Sequence, residues 1–211
     1  MNLKTYFQNA GRKRIAMSLA GNLLVGIGVA IFKFSALGND PFNGMNMALA
    51  DLFQVPYPTL QIMVNILFFA IQLLAARELI GFGTVVNIFL IGYIVNFTYG
   101  LLVRSLGSPG SFAIQLLAMV TGMLICSLGL SLYQCSEMGT APYDALALIL
   151  DRKLKKLPYF WCRILCDGGC ALVCFLAGGI VGLGTLVSAF GFGPVIAFFN
   201  RTVSEPMARN Y

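Results

Sequence analysis

Five long stretches of this chain contain no Asp, Glu, Lys or Arg, and their lengths constrain the fold more than any other feature. They are Ile15–Phe32, Leu52–Ala76, Leu79–Val103, Ser105–Ser136 and Gly168–Asn200. A bilayer core is about 30 Å thick and takes about 20 helical residues to cross. Each middle run holds one span, and the last holds the end of one span and all of the next. Only 10% of the residues are charged, while 58% are hydrophobic. Soluble domains carry roughly a quarter charged residues, so most of the outer surface must face lipid. The expectation is an all-α integral membrane protein of about six transmembrane helices, forming a single membrane domain over 1–211.

Other classes fall away on composition. The start, Met1–Arg14, is polar and basic and too long for the n-region of a cleavable signal peptide, so none is expected. The net charge of +6 sits in short loops, which reads as membrane topology and not as nucleic-acid binding. The chain has no histidine, the commonest metal ligand and general base. No enzyme activity, no cofactor and no metal site is expected. Cys162, Cys166, Cys170 and Cys174 recur every fourth residue. Such thiols rise about 6 Å per step along one helix and cannot close a four-coordinate site, so they read as small packing residues.

Shifted by 101 residues, the chain matches itself without a gap from Gly21 to Gly92. Gly21 falls on Gly122, Gly28 on Gly129, Ser35 on Ser136, Gly38 on Gly139 and Pro41 on Pro142. Gly81-x-Gly83-Thr84 falls on Gly182-x-Gly184-Thr185, Phe32 on Tyr133 and Phe42 on Tyr143. Two tandem repeats follow, over 14–104 and 112–201. Each has a long span (about 14–34 and 112–134) and a short proline-opened segment (41–53 and 142–152). Two more spans complete it (58–77 and 82–103; 158–179 and 183–200).

Three spans per repeat force the second copy to cross in the opposite sense. With the N-terminus inside, the inner segments hold Lys4, Arg12, Lys13, Arg14, Arg77, Arg152, Lys153, Lys155, Lys156, Arg201 and Arg209. The outer segments hold Lys33 and Arg104, and eleven against two is a strong positive-inside bias. The expectation is N-in, C-in, with two inverted-topology repeats of three, a plan common among secondary transporters.

The short segments carry the functional information. Proline suits the first turn of a helix, and Asp40 suits the N-cap before Pro41. Thirteen residues give about 20 Å of helix, too little to span. A helix lying flat at the interface should show a broad charged face. Here the polar stripe is narrow, which favours re-entrant half-helices over an ordinary loop helix. Their N-termini would then point inward from opposite faces, exposing free N–H groups and partial positive charge. Asn39, Asp40, Asn43, Glu137, Thr140 and Asp144 flank these starts and are expected to line one substrate-binding cavity, with Asn87 and Ser188 deeper in it. The sign of that site is open, and a zwitterion suits it. Asp144 has no Lys or Arg near it in sequence before Arg152, so a substrate amine or a proton is its expected counter-charge. Arg163 and Asp167 lie four apart on one face of the fifth span. They read either as an internal ion pair, with Arg163 free to snorkel, or as a coupling or gating pair. The Gly-x-Gly-Thr elements lack the Lys of a nucleotide loop and read as helix starts with close packing of small residues.

Ala36-Leu37-Gly38-x-x-Pro41-Phe42 and Met138-Gly139-x-x-Pro142-Tyr143-Asp144, with Gly-x-Gly-Thr further on, resemble the YczE/YitT-like bacterial multi-pass membrane proteins. The family pattern has Leu-Gly-x-x-Pro-Trp-Asp after the first span. Here Phe42-Asn43 and Tyr143-Asp144 stand in that place, so the resemblance puts an acidic role on Asp144 and not on position 43. It implies a bacterial cytoplasmic (inner) membrane location and names no substrate.

The function expected is a small secondary transporter or exporter of a small polar or amphipathic solute, with a homodimer as a compatible assembly. The alternative is a substrate-binding or accessory subunit resembling those of energy-coupling-factor importers. That alternative fits the size but does not need an inverted duplication.

Overall fold

The computed structural model describes residues 11–154 and 159–209, and Lys4, Lys155 and Lys156 of the charge tally lie outside them. The elements are α1 (Arg12–Phe34), α2 (Pro41–Phe53), α3 (Tyr57–Ala75), a 3-10 turn (Arg77–Leu79), α4 (Phe82–Leu106), α5 (Phe112–Cys135), α6 (Pro142–Lys153), α7 (Tyr159–Leu176), α8 (Leu183–Phe199), a π-helical turn (Asn200–Ser204) and α9 (Glu205–Arg209). Among the described residues there is no strand. Helices α1, α3, α4 and α5, and the continuous helical stretch Leu183–Ala208, are long and apolar enough to cross a membrane. The segment expected as a fifth span, 158–179, holds the 18-residue α7, which is not among these five helices. The last span runs beyond its expected end at 200, through the π-helical turn into α9.

Glycine placement explains how the core closes. Helices α1 and α5 pack along their length, antiparallel, because Gly21 meets Gly129 and Tyr133 while Gly28 meets Cys126 and Gly122 meets Phe32. A Cβ on Gly21 would sit 2.7 Å from the Gly129 carbonyl oxygen, and one on Gly122 would sit 2.9 Å from that of Gly28. Small residues let two backbones touch where lipid supplies no hydrophobic drive for association. Val25, Val29, Cys126 and Tyr133 fill the space beside the seam.

The turns after α1 and α5 are built the same way, at positions 101 residues apart. Ser35 Oγ donates to the Phe32 carbonyl at 2.6 Å, and Ser136 Oγ to that of Tyr133 at 2.5 Å. Ala36 and Glu137 both take positive φ, at 56° and 54°. Gly38 and Gly139 follow at φ 104° and 107°, a region only glycine enters cheaply. Each turn then docks on the opposite half of the chain. The Gly184 N–H donates to the Leu37 carbonyl (2.8 Å), and the Gly83 N–H to that of Met138 (2.7 Å). A methyl at Gly81 or Gly182 would collide with the Met138 or Leu37 carbonyl. Thr84 Oγ1 donates to the Thr140 carbonyl at 2.9 Å. The Gly-x-Gly-Thr elements are therefore helix starts and docking surfaces for these turns.

Helices α2 and α6 also pack across the halves, α2 on α7 and α6 on α3. The pairing is not uniform, because α3 and α4 lie together whereas α7 and α8 barely touch. Helix α8 contains Pro194, which removes one rung of its hydrogen-bond ladder. The position 101 residues earlier is Tyr93.

Candidate functional site

Helices α2 and α6 bury their starts and expose their ends. Pro41, Phe42, Asn43 and Pro142, Tyr143, Asp144 are buried, whereas Asp51–Phe53 and Arg152–Lys153 are exposed. The starts meet: the Phe42 and Tyr143 rings stack with centroids 4.4 Å apart. Asp40 caps α2 by accepting the Asn43 N–H at 3.1 Å, and it also takes the Asn43 amide, at 3.1 and 2.9 Å to its two oxygens. Asn43 Oδ1 in turn accepts from the Tyr57 hydroxyl (2.7 Å) and from Gln61 Nε2 (3.3 Å).

Across the junction Arg163 organises the second cluster. Its guanidinium hydrogen-bonds Asp144, lies 3.4 Å from Asp167, and stands 4.8 Å over the Tyr143 ring. The Tyr133 hydroxyl donates to Asp144 and the Tyr143 hydroxyl to Asp167. Both carboxylate side chains are 8% exposed and that of Arg163 is 25% exposed, so these charges are largely out of water. Buried ions of this kind survive when paired and hydrogen-bonded, as these are.

Two adjoining cavities meet at this cluster. A small one, about 50 Å³, is lined by Asp40, Asn43, Gln61, Asn87, Asp144 and Arg163, with the Phe42 and Tyr143 rings. A wider cleft, about 360 Å³, lies between α5, α7 and α8 and shares Leu130, Asp144, Arg163 and Phe192 with the first. Its other lining residues include Asp167, Ser188, Ile164 and Phe190, and it reaches Gln134 and Asn200 at the ends of their helices. Residues 101 positions earlier, such as Ile91 and Val95, are buried in the core instead.

The structure thus brings Asp40, Asn43, Asn87 and Asp144 together with Arg163, and places Asp167 and Ser188 in the adjoining cleft. It places three expected residues elsewhere. Asn39 turns its amide to the Val29 carbonyl (3.4 Å) and lines a separate pocket with Lys33. Thr140 spends its backbone on docking, with its N–H on the Leu79 carbonyl at 2.8 Å and its own carbonyl held by Thr84 and Gln72. Glu137 is exposed and ion-paired to Arg14 at 3.0 Å, because its left-handed turn points the side chain out of the bundle. The counter-charge of Asp144 is a further correction. Arg163, remote in sequence, pairs with it after the chain folds back. Tyr57, Gln61 and Tyr133 also belong to the site, though only their hydroxyls or amide within uncharged runs hinted at it, as does Tyr143 of the second proline-opened motif. Cys170 and Cys174 pack with Phe42, Met45 and Tyr143, as small buried side chains do.

Fold and site define an all-helical membrane protein with a charged cavity where two short helices meet. The chain belongs to a family of unknown function (DUF6198), whose model matches residues 12–201. It is 26% identical over 203 residues to an uncharacterized protein of Haemophilus influenzae, covering 95% of this chain and 89% of the relative. It is 25% identical over 183 residues to the uncharacterized membrane protein YczE of Bacillus subtilis, covering 85% and 81%. A third relative, the uncharacterized protein YyaS of the same bacterium, is 21% identical over 192 residues, covering 88% and 91%. No solved structure matches the chain.

Proposed function

We propose that this protein is a small secondary transporter of a polar or amphipathic solute, bound where the starts of α2 and α6 meet. The observation that carries this reading is the junction itself. Two short helices with buried starts and exposed ends meet head to head beside a charged cavity, which one side of the bundle leaves accessible through a cleft. Irregular backbone at membrane depth is tolerated where it is buried in protein or lines a cavity.

In this reading the bundle has six spans, α7 being the fifth, and α2 and α6 are half-helices entering from opposite faces. The two halves are inverted repeats about an axis in the membrane plane. The antiparallel α1–α5 seam and the exchanged Gly83–Met138 and Gly184–Leu37 hydrogen bonds support that relation. N-in, C-in topology places Arg14, Glu137, Glu78 and Arg152 at the cytoplasmic end, where Arg14 pairs with Glu137 and Arg152 with Glu78. The cleft between α7 and α8 then opens inward. The outer side is closed by packing of α3 on α4 and by Lys33, which lies 4.4 Å from the Tyr99 ring centroid and 5.9 Å from that of Tyr57.

The test is flux by the purified protein alone in proteoliposomes, using a solute selected because it raises the melting temperature of the folded protein. Wild type is expected to move that solute, and Asp144→Asn to remain folded and inserted while losing flux. Stabilising solutes that bind but never cross would overturn the transport reading.

A further inference from the structure

The hydrogen-bond inventory of the small cavity is one-sided. The Asn43 amide is committed to Asp40, and Asn43 Oδ1 must therefore be the acceptor that faces Tyr57 and Gln61. That choice fixes the Gln61 amide with its nitrogen on Asn43 and its Oε1 turned to α4, where a Cβ on Gly92 would lie 3.1 Å from it. Gln61 is 2% exposed and lines the cavity. The Asn87 amide donates to Asn22 Oδ1 at 3.0 Å, and the Tyr133 hydroxyl and Arg163 are directed at Asp144. The hydrogen bonds that reach Asp40 come from Asn43, a neutral residue.

Charge points the same way. The two adjoining cavities are lined by three carboxylates (Asp40, Asp144, Asp167) and one guanidinium (Arg163), so with all four ionised two negative charges are left over. A buried excess of this sign needs a cation or protons. The walls say which kind of cation. The Phe42 and Tyr143 rings, stacked on each other, border the small cavity, and Arg163 already occupies a cation–π position on Tyr143. The cleft beyond is mostly apolar, with Leu130, Ile164, Phe190, Phe192 and Ile196. At about 360 Å³ it falls at the lower end of the range for small-molecule sites, about 300–1,000 Å³.

We propose that the solute is an amphipathic organic cation, a primary amine. Its ammonium enters the small cavity and donates to Asp40, and its apolar body lies in the cleft between α7 and α8. Arg163 acts as a tethered stand-in for that ammonium, bridging Asp144 and Asp167 when the cavity has no guest. This inference rests on reading the two cavities as the solute path, and it deepens the proposed transport function by naming the solute class.

The experiment uses the full-length protein in lipid nanodiscs, with thermal unfolding as readout. Phenethylamine is the probe, 2-phenylethanol and 3-phenylpropionate are its neutral and anionic counterparts, and sodium chloride is the inorganic cation. Phenethylamine is expected to raise the melting temperature in a saturable way, and the other three are not. Asp40→Asn should remove the amine effect, and should it fail to fold, the comparison of the four probes on the wild-type protein carries the test. Equal stabilisation by the alcohol, stabilisation by sodium alone, or an undiminished amine effect in a folded Asp40→Asn would overturn the proposal. Saturable amine binding without flux in proteoliposomes would support the solute class while removing the transport reading. Flux of the carboxylate without amine binding would do the reverse.

Discussion

At the scale of single residues, Arg163 is the side chain on which the buried charges depend. It satisfies Asp144 and Asp167 at once, and its ring contact with Tyr143 ties the start of α6 to α7. Removing one member of a buried ion pair costs about 3–5 kcal/mol, because the partner is left charged without compensation. With its side chain a quarter exposed, Arg163→Met should fall at the lower end, about 3 kcal/mol. Thermal unfolding in detergent will measure this. Adding Asp144→Asn to Arg163→Met should recover part of the loss, since one uncompensated carboxylate is gone. A double variant less stable than the single would show that Asp144 is held by contacts other than this pair. The i,i+4 spacing of Arg163 and Asp167 could be read from the chain, and the structure contains that pair. The bond to Asp144 joins residues 19 positions apart on different helices, which no local pattern encodes.

At the scale of elements, the α1–α5 crossing depends on four glycines and the backbone approach they permit. Leucine in place of Gly122 would drive its side chain into the Phe32 backbone, where a Cβ alone would lie 2.6 Å from the nitrogen. Overpacking typically costs about 1–3 kcal/mol, and a clash with backbone on both helices should reach or exceed the top of that range. Gly122→Leu should therefore give a sharp loss of monodisperse protein in fluorescence-detected size-exclusion chromatography. Gly193→Leu, where a Cβ would meet nothing within 4 Å, should not. These glycines could be recognised from their matched spacing in the chain. Their pairing could not, because the same spacing serves parallel and antiparallel seams. The starts of α2 and α6 show the same division. Proline and the Asp40 cap identify where each helix begins, but stacking of Phe42 on Tyr143 is a tertiary result.

At the scale of the whole molecule, the two halves share their turns and seams but differ in one opening. At the place of the cleft between α7 and α8, the other half packs α3 on α4 and buries Ile91 and Val95. If the halves exchange shapes during transport, Ile196 in the cleft and Val95 at the position 101 residues earlier should exchange accessibility. On a background without native cysteines, Ile196→Cys should react with a membrane-impermeant thiol reagent in inside-out vesicles. Val95→Cys, 1% exposed, should react only in right-side-out cells supplied with solute. Protection of Val95→Cys under every condition would remove the exchange of shapes. Topology has its own test. Arg104→Cys is expected to be labelled from outside intact cells, and labelling only after permeabilisation would reverse the N-in, C-in assignment.

The chain by itself determined the properties that follow from local chemistry and from the solvent. Lipid demands long uncharged helices, left-handed turns demand glycine, and a short helix opened by proline needs few neighbours to form. Hence the all-helical membrane class, the positions of α1–α6 and the paired turns were legible, and so were most of the polar residues of the site. Part of the asymmetry was present as well, since Pro194 falls in one half and Tyr93 at the matching place in the other. Only the tertiary structure decided which polar residues share a cavity. Glu137 leaves the bundle through a left-handed turn, Thr140 is consumed in docking, and Gln61 enters from an uncharged run. Only it decided that Arg163 neutralises Asp144, and that one cleft is open while its counterpart is packed. The physical reason is that charge pairing and cavity volume depend on distances between segments remote in sequence, set by how glycine seams and docked turns bring the two halves together.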